Sequence, residues 1–259
     1  MIDPRLEESK PSIDSYELPC GFLDGEGNLH TDVVVREMTG EEEEILAARN
    51  MPVTKKINKI LSRCTESIGP YNGNSIDQIV PELTQGDRIY LLMAIRRASL
   101  GNDMPFTTKC QSCDQESQLQ VDLSELEVKK MKDPTLRQYE VELPKSGRKV
   151  RMKVLTGRGE DAISKASNRG IDIITTAIFC RIDSFDDKPV TMKDLKTLSL
   201  SDRNFLRDSW EEYEGGVSTD ITVECPSCNY EYETELEISQ QGFFNPSAAL
   251  KSWKKKSSS

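Results

Sequence analysis

Two short cysteine pairs are the residues best suited to chemistry: Cys110-Gln111-Ser112-Cys113 and Cys225-Pro226-Ser227-Cys228. Two residues between thiols let the backbone curl so that both sulfurs face one ion, the local geometry of a tetrahedral four-thiolate zinc site. Roughly 110 residues separate the pairs, far more than in an ordinary zinc ribbon, so they can share an ion only if folding brings them together. The expectation is one structural Zn2+ per chain, held by Cys110, Cys113, Cys225 and Cys228. Such a closed site offers no coordination position to water or substrate, so the ion would staple the fold and take no part in catalysis. Dithiol redox chemistry, as in an oxidoreductase or a redox-regulated holdase, competes for the same pairs. It normally places the first cysteine at a helix N-terminus, where the dipole lowers the thiol pKa, whereas both pairs here lie between alternating, strand-like segments. Structural disulfides are a further use. Cys20, Cys64 and Cys180 have no second thiol at ligand spacing and read as buried small apolar side chains.

No other grouping points to catalysis, and no catalytic or small-molecule site is expected. His30 is the single histidine and lies in a Gly-rich, acid-rich loop, Asp24 to Asp32, with no strained nucleophile turn nearby. The run Glu41 to Glu44 suits the positive dipole end of a helix. Gly157-Arg158-Gly159 lacks the further glycines and the lysine of a phosphate cradle. Zinc knuckles often serve nucleic-acid binding, but Asp114, Glu116, Glu224, Glu231, Glu233 and Glu235 surround these, opposed by Lys109 alone. Such flanks repel phosphate.

The elements that must carry the knuckles recur along the chain, in two series of matching landmarks about 115 residues apart. Val33-Val34-Val35-Arg36-Glu37-Met38-Thr39-Gly40 resembles Val150-Arg151-Met152-Lys153-Val154-Leu155-Thr156-Gly157, and Glu43-Glu44 answers Glu160-Asp161. Ile57 and Cys64 match Ile173 and Cys180; Thr84, Asp87 and Arg88 match Ser199, Asp202 and Arg203. Each series reads as an alternating strand, a Thr-Gly turn and an acid-led helix. A second helix follows, near Ile57 to Ile68 or Ile171 to Ile182, and then a third with a capping-box start at Thr84 or Ser199. Alternating strands flank each cysteine pair.

The expected fold is α+β, built of two internally duplicated modules of strand, three helices and a zinc-knuckle hairpin. A pseudo-twofold would relate them and let the knuckles meet in one shared four-cysteine site. The expected boundaries are a flexible N-terminus at 1–15, modules at 16–128 and 139–241, a linker at 129–138, and a flexible basic tail at 242–259. In that tail Phe243, Phe244 and Trp253 are candidate partner-binding side chains, with Lys251, Lys254, Lys255 and Lys256 around the tryptophan.

Composition agrees with a folded chain of polar surface: 259 residues, 36% apolar and 30% charged. Forty-four acids against thirty-four bases leave a net charge of −10, which opposes general binding to nucleic acid or anionic membranes. Neither a membrane-spanning stretch nor a secretory signal is expected. Seven cysteines, an odd number, suit reduced thiols or metal ligands better than a disulfide framework.

Tyr16-Glu17-Leu18-Pro19-Cys20-Gly21, Val35 through Glu43, and Asp87 to Arg96 leading through Ser99-Leu100-Gly101 into Cys110-Gln111-Ser112-Cys113 resemble a phage tail family. It is the baseplate hub assembly proteins, or hub chaperones, of T-even-type contractile-tailed phages. The resemblance implies a non-enzymatic late protein that binds hub or spike proteins in the host cytoplasm during baseplate assembly and is either retained in the virion or not. The alternative reading is a zinc-ribbon regulator that binds nucleic acid or the transcription or translation machinery. The knuckles motivate it and their acidic flanks oppose it.

Overall fold

Alternating apolar residues and a turn closed by Asp24 fold Ile13–Leu23 (β1) back on Leu29–Arg36 (β2), in the computed structural model that describes residues 13–236, Ile238 and Gln241–Phe244. Gly40–Ala47 (α1) starts at Thr39, whose side chain and Glu42 form a capping box, and Val53–Cys64 (α2) follows. Thr65–Ile68 (β3) and Tyr71–Asn72 (β4) complete a sheet in the order β1-β2-β3-β4. Next come Asn74–Ile79 (α3), a 3-10 turn at Val80–Glu82, and Gln85–Leu100 (α4), where the Asp87 N–H donates to Thr84 Oγ1 at 3.1 Å. Asp103–Lys109 (β5) and Glu116–Asp122 (β6) form a hairpin, and Val128–Lys129 (β7) leads on.

Up to the fourth helix the same order then repeats. Gln138–Glu142 (β8), Lys149–Lys153 (β9), Gly157–Asn168 (α5), Ile173–Cys180 (α6), Ile182–Phe185 (β10) and Lys188–Pro189 (β11) again give a four-stranded sheet, β8-β9-β10-β11. Met192–Thr197 (α7) and Leu200–Tyr213 (α8, capped by Ser199) precede Gly216–Val217 (β12), which pairs with β7. Asp220–Glu224 (β13) and Glu231–Glu235 (β14) form the last hairpin, and Gln241–Phe244 (α9) closes the described chain. No helix among the described residues is long and apolar enough to cross a membrane.

Each half therefore carries four α-helices before its knuckle hairpin, where the sequence predicted three. The second helix of the first half also lies four residues earlier than Ile57 to Ile68, at Val53–Cys64. It stops at Cys64 because Thr65 and Ile68, β-branched and buried, pair with β2. The acidic run is not all solvated either: Glu42 is fully buried, held by Arg36 at 3.0 Å and Arg63 at 2.7 Å.

The first core gathers Leu18, Val33, Val35, Ile60, Leu61, Leu91 and Ile95, and is completed from the far end of the chain by Leu236, Ile238 and Phe243. A second core lies under β8–β10, around Val150, Met152, Ile178, Phe185, Leu195 and Leu206. Burying such side chains stabilises by about 1.5–3 kcal/mol each, so these two clusters fix the sheets on their helices. The segment expected to be a linker is packed: Met131 is buried beside Cys20 and Val154, and its N–H donates to the Pro19 carbonyl at 3.0 Å.

The halves join where the N-cap of α4 meets that of α5. Gln85 N–H donates to Leu155 O at 2.8 Å, Gly157 N–H to Leu83 O at 3.2 Å, and Arg88 Nε to Glu160 Oε2 at 2.8 Å. A Cβ on Gly157 would lie 2.7 Å from Arg88 Nη1, so this close approach needs glycine. A twofold between the halves would repeat the contact between Ser199 and Thr39 and between Arg203 and Glu43. Yet Arg203 makes no ion pair among the described residues; its guanidinium donates to Leu195 O and Thr175 Oγ1. The expected twofold is thus not shown: the α5 end of the second half covers the first half, and nothing among the described residues returns the contact.

Candidate metal centre

β5 and β6 end in the loop 110–115, and β13 and β14 in the loop 225–230, and the two loops are built alike. Cys110 N–H donates to Gln115 O at 2.9 Å and Asp114 N–H to Cys110 O at 3.1 Å; Cys225 N–H donates to Tyr230 O at 3.0 Å and Asn229 N–H to Cys225 O at 2.9 Å. Asp114 and Asn229, each just after the second cysteine, take left-handed conformations, φ 59° and 57°. Aspartate and asparagine tolerate that region better than other non-glycine residues. The sequence carried this signal, an Asx directly following each pair, and the spacing of cysteines alone did not exploit it.

The loops meet. All four sulfurs lie within 4.8 Å of one another, with Cys110 Sγ to Cys228 Sγ and Cys113 Sγ to Cys225 Sγ both 3.7 Å. A tetrahedral ion with metal–sulfur bonds of about 2.3 Å sets its sulfurs about 3.8 Å apart. A disulfide would need about 2.05 Å, and all the cysteines are free thiols. Donor type, number and spacing thus fit a metal bound by four thiolates. Cys110 and Cys225 are buried with Tyr232 against Val223, while Cys113 and Cys228 are exposed at the rim. Thr108 and Thr234 hydroxyls, 3.2 Å apart, and Gln111 Nε2 donating to Glu233 O at 3.3 Å tie one hairpin to the other.

The sulfurs are not electrostatically alike: desolvation and the neighbouring cysteines push the Cys228 thiol up to about 12 and raise that of Cys113. Backbone N–H groups of Ser227 and Cys228 turned toward the sulfur draw the Cys225 thiol down to about 7 despite its burial. Four thiolates this close repel one another strongly, and a divalent ion removes that cost. Among the flanking acids, Asp114 is engaged by Lys109 at 2.7 Å.

The remaining candidates fall outside this centre. His30 is no free loop histidine: it lies in β2, its Nε2 is 2.9 Å from Asp24 Oδ2, and its ring packs edge-on to Tyr71. This contact and backbone N–H groups hold the Asp24 carboxyl well below the usual carboxylate range. Cys20 and Cys64 are buried, which pushes both thiols up to about 12. Phe243, expected to reach a partner, is 2% exposed and sits in the first core, and its carbonyl accepts from Arg96 Nε at 3.1 Å. Phe244 is half-buried, edge-on to Phe243. The correction has a simple cause: the first core lacks side chains at this end until α9 supplies them. Trp253 lies outside the described residues.

No curated protein and no solved structure matches the chain. The profile of one family, described as T4 bacteriophage base plate protein, matches residues 26–245 and so takes in both sheets, both helical layers and all four clustered cysteines. The chain belongs to the T4 bacteriophage base plate protein family.

Proposed function

We propose that the protein is a non-enzymatic assembly factor or structural component of the phage baseplate hub, binding hub or spike proteins in the host cytoplasm as the baseplate forms. The family match over residues 26–245 carries this reading. The acids around the knuckles favour protein partners over nucleic acid.

In the same reading the ion at Cys110, Cys113, Cys225 and Cys228 is Zn2+, supported by the four-sulfur donor set and its 3.7 Å spacings. The repeated order of elements supports duplication of one module, at residues 16–128 and 139–241. Bound metal would supply no chemistry beyond cross-linking two hairpins. Phage lacking the gene, complemented by the intact chain or by none, tests the role. Infectious tails built without the protein, or a tagged chain that recovers no hub or spike protein from infected cells, would overturn it.

A further inference from the structure

The contact between the halves leaves a matching pair of surfaces unused. In the first half Arg88 is satisfied three ways: Nη1 donates to Val80 O at 2.9 Å, Nη2 to Asn58 Oδ1 at 2.7 Å, and Nε to Glu160 Oε2 at 2.8 Å. The first two partners come from its own half and the third from the other. Arg203, at the corresponding place in the second half, makes the corresponding two bonds, to Leu195 O at 2.9 Å and Thr175 Oγ1 at 3.3 Å. Its third bond has no acceptor among the described residues, where no helix covers this face as α5 covers the first.

The uncovered face is shaped to be covered. Arg203, Lys196 and Thr175 line a cleft of about 700 Å³ with Ile171, Ile173 and Ile174, whose exposures are 46%, 49% and 60%. Leu200, at the place where Gln85 bonds across to Leu155, is 70% exposed. Apart from Arg203, the cleft's charges are already matched, since Asp172 is engaged by Lys196 at 2.7 Å.

The complementary surface lies at the N-terminus of α1. Thr39, Gly40 and Glu43 occupy the places of Thr156, Gly157 and Glu160. Glu43 is exposed and makes no ion pair among the described residues. Gly157 is glycine because Arg88 lies against it, yet a Cβ on Gly40 would meet nothing within 4 Å, and Gly40 has no positive φ to require glycine. Its glycine answers to nothing within the described chain.

We propose that a second copy of this chain docks head to tail, its Thr39–Gly40–Glu43 edge on the α6–α8 face, with Glu43 completing Arg203 as Glu160 completes Arg88. The contact is heterologous, so copies add in one direction until a ring closes or a filament grows. The inference rests on the equivalence of the two halves, and on neither the metal nor the baseplate role.

Sedimentation velocity of the full-length protein over a concentration series tests it. The expected result is growth from monomer to dimer and larger species. Glu43→Ala and Gly40→Val should each weaken association about tenfold or more while leaving the melting temperature of the monomer unchanged. An equimolar mixture of Glu43→Ala and Arg203→Ala should stop at a dimer, since a single complementary pair of surfaces survives. If Arg203→Ala does not fold, Leu200→Glu replaces it. A wild-type chain monomeric at every concentration, or association unchanged in both Glu43→Ala and Gly40→Val, overturns the proposal. So does association that survives Glu43→Ala but is lost on truncation after Phe244, which keeps the core side chains of α9 and would assign the face to the tail of a neighbouring copy.

Discussion

Arg88, 2% exposed, donates through Nε to Glu160 at 2.8 Å across the junction of the two halves, with one further bond from each terminal nitrogen, to Val80 and Asn58. A guanidinium buried this deeply is tolerable because its donors meet acceptors in the fixed fork geometry of arginine. Its plane in turn leaves no room above Gly157. The halves are thus registered by an interlocked charge, a glycine and two backbone hydrogen bonds.

That interlock predicts an asymmetry between two glycines. Gly157→Ala should destabilise the chain by about 1–3 kcal/mol, because the methyl group drives into a guanidinium that cannot swing away. Gly40→Ala should cost almost nothing in the monomer. Chemical denaturation of both variants checks this, and equal stabilities would mean that the junction is looser than its geometry.

Metal removal should act through folding. Chelation, or Cys225→Ser at a fully buried sulfur, should release the bound metal ion and lower the melting temperature by roughly 4–16 degrees, as a loss of order 2–4 kcal/mol would at this size. Native mass spectrometry with parallel calorimetry reads both. Unaltered melting after complete metal loss would remove the staple.

Asp87 should impose a pH dependence of the less common sign. Burial pushes its carboxyl up to about 6, even though the Cys20 and Gly21 N–H groups and the Thr84 hydroxyl all bond it. The folded state therefore holds the proton more tightly than the unfolded one. This contribution to stability is greatest below about pH 4 and declines as pH rises to about 6, by up to about 3 kcal/mol. Asp87→Asn keeps acceptors for both N–H groups and should flatten the slope in that window. Thermal melts from pH 4 to 7 decide it; parallel wild-type and variant curves would refute it.

Phe243→Ala should behave as a core truncation, costing about 3 kcal/mol or more of stability. Hub-protein affinity of the folded fraction should stay at the wild-type level. Loss of affinity with unchanged melting would return Phe243 to the role of a docking side chain.

Much of the candidate site was legible in the chain because its geometry is local. The C-x-x-C spacing, the hydroxyl caps at Thr84 and Ser199, and the alternation around the knuckles each involve residues within a few positions, where backbone geometry leaves few choices. The recurrence of those signals raised the prospect that distant cysteine pairs share one ion. The approach of Cys110 to Cys228 and of Cys113 to Cys225 was decided by tertiary structure, since it depends on how two hairpins far apart in sequence pack together. The same holds for Phe243, a tail residue by composition and a core residue by packing, and for Glu42, which joins Arg36 and Arg63 from other elements. The junction of the halves was least legible of all. Arg88 and Arg203 occupy matching places in the sequence, and only the three-dimensional arrangement determines that α5 covers one and leaves the other bare, because burial is set by neighbours that no local pattern specifies.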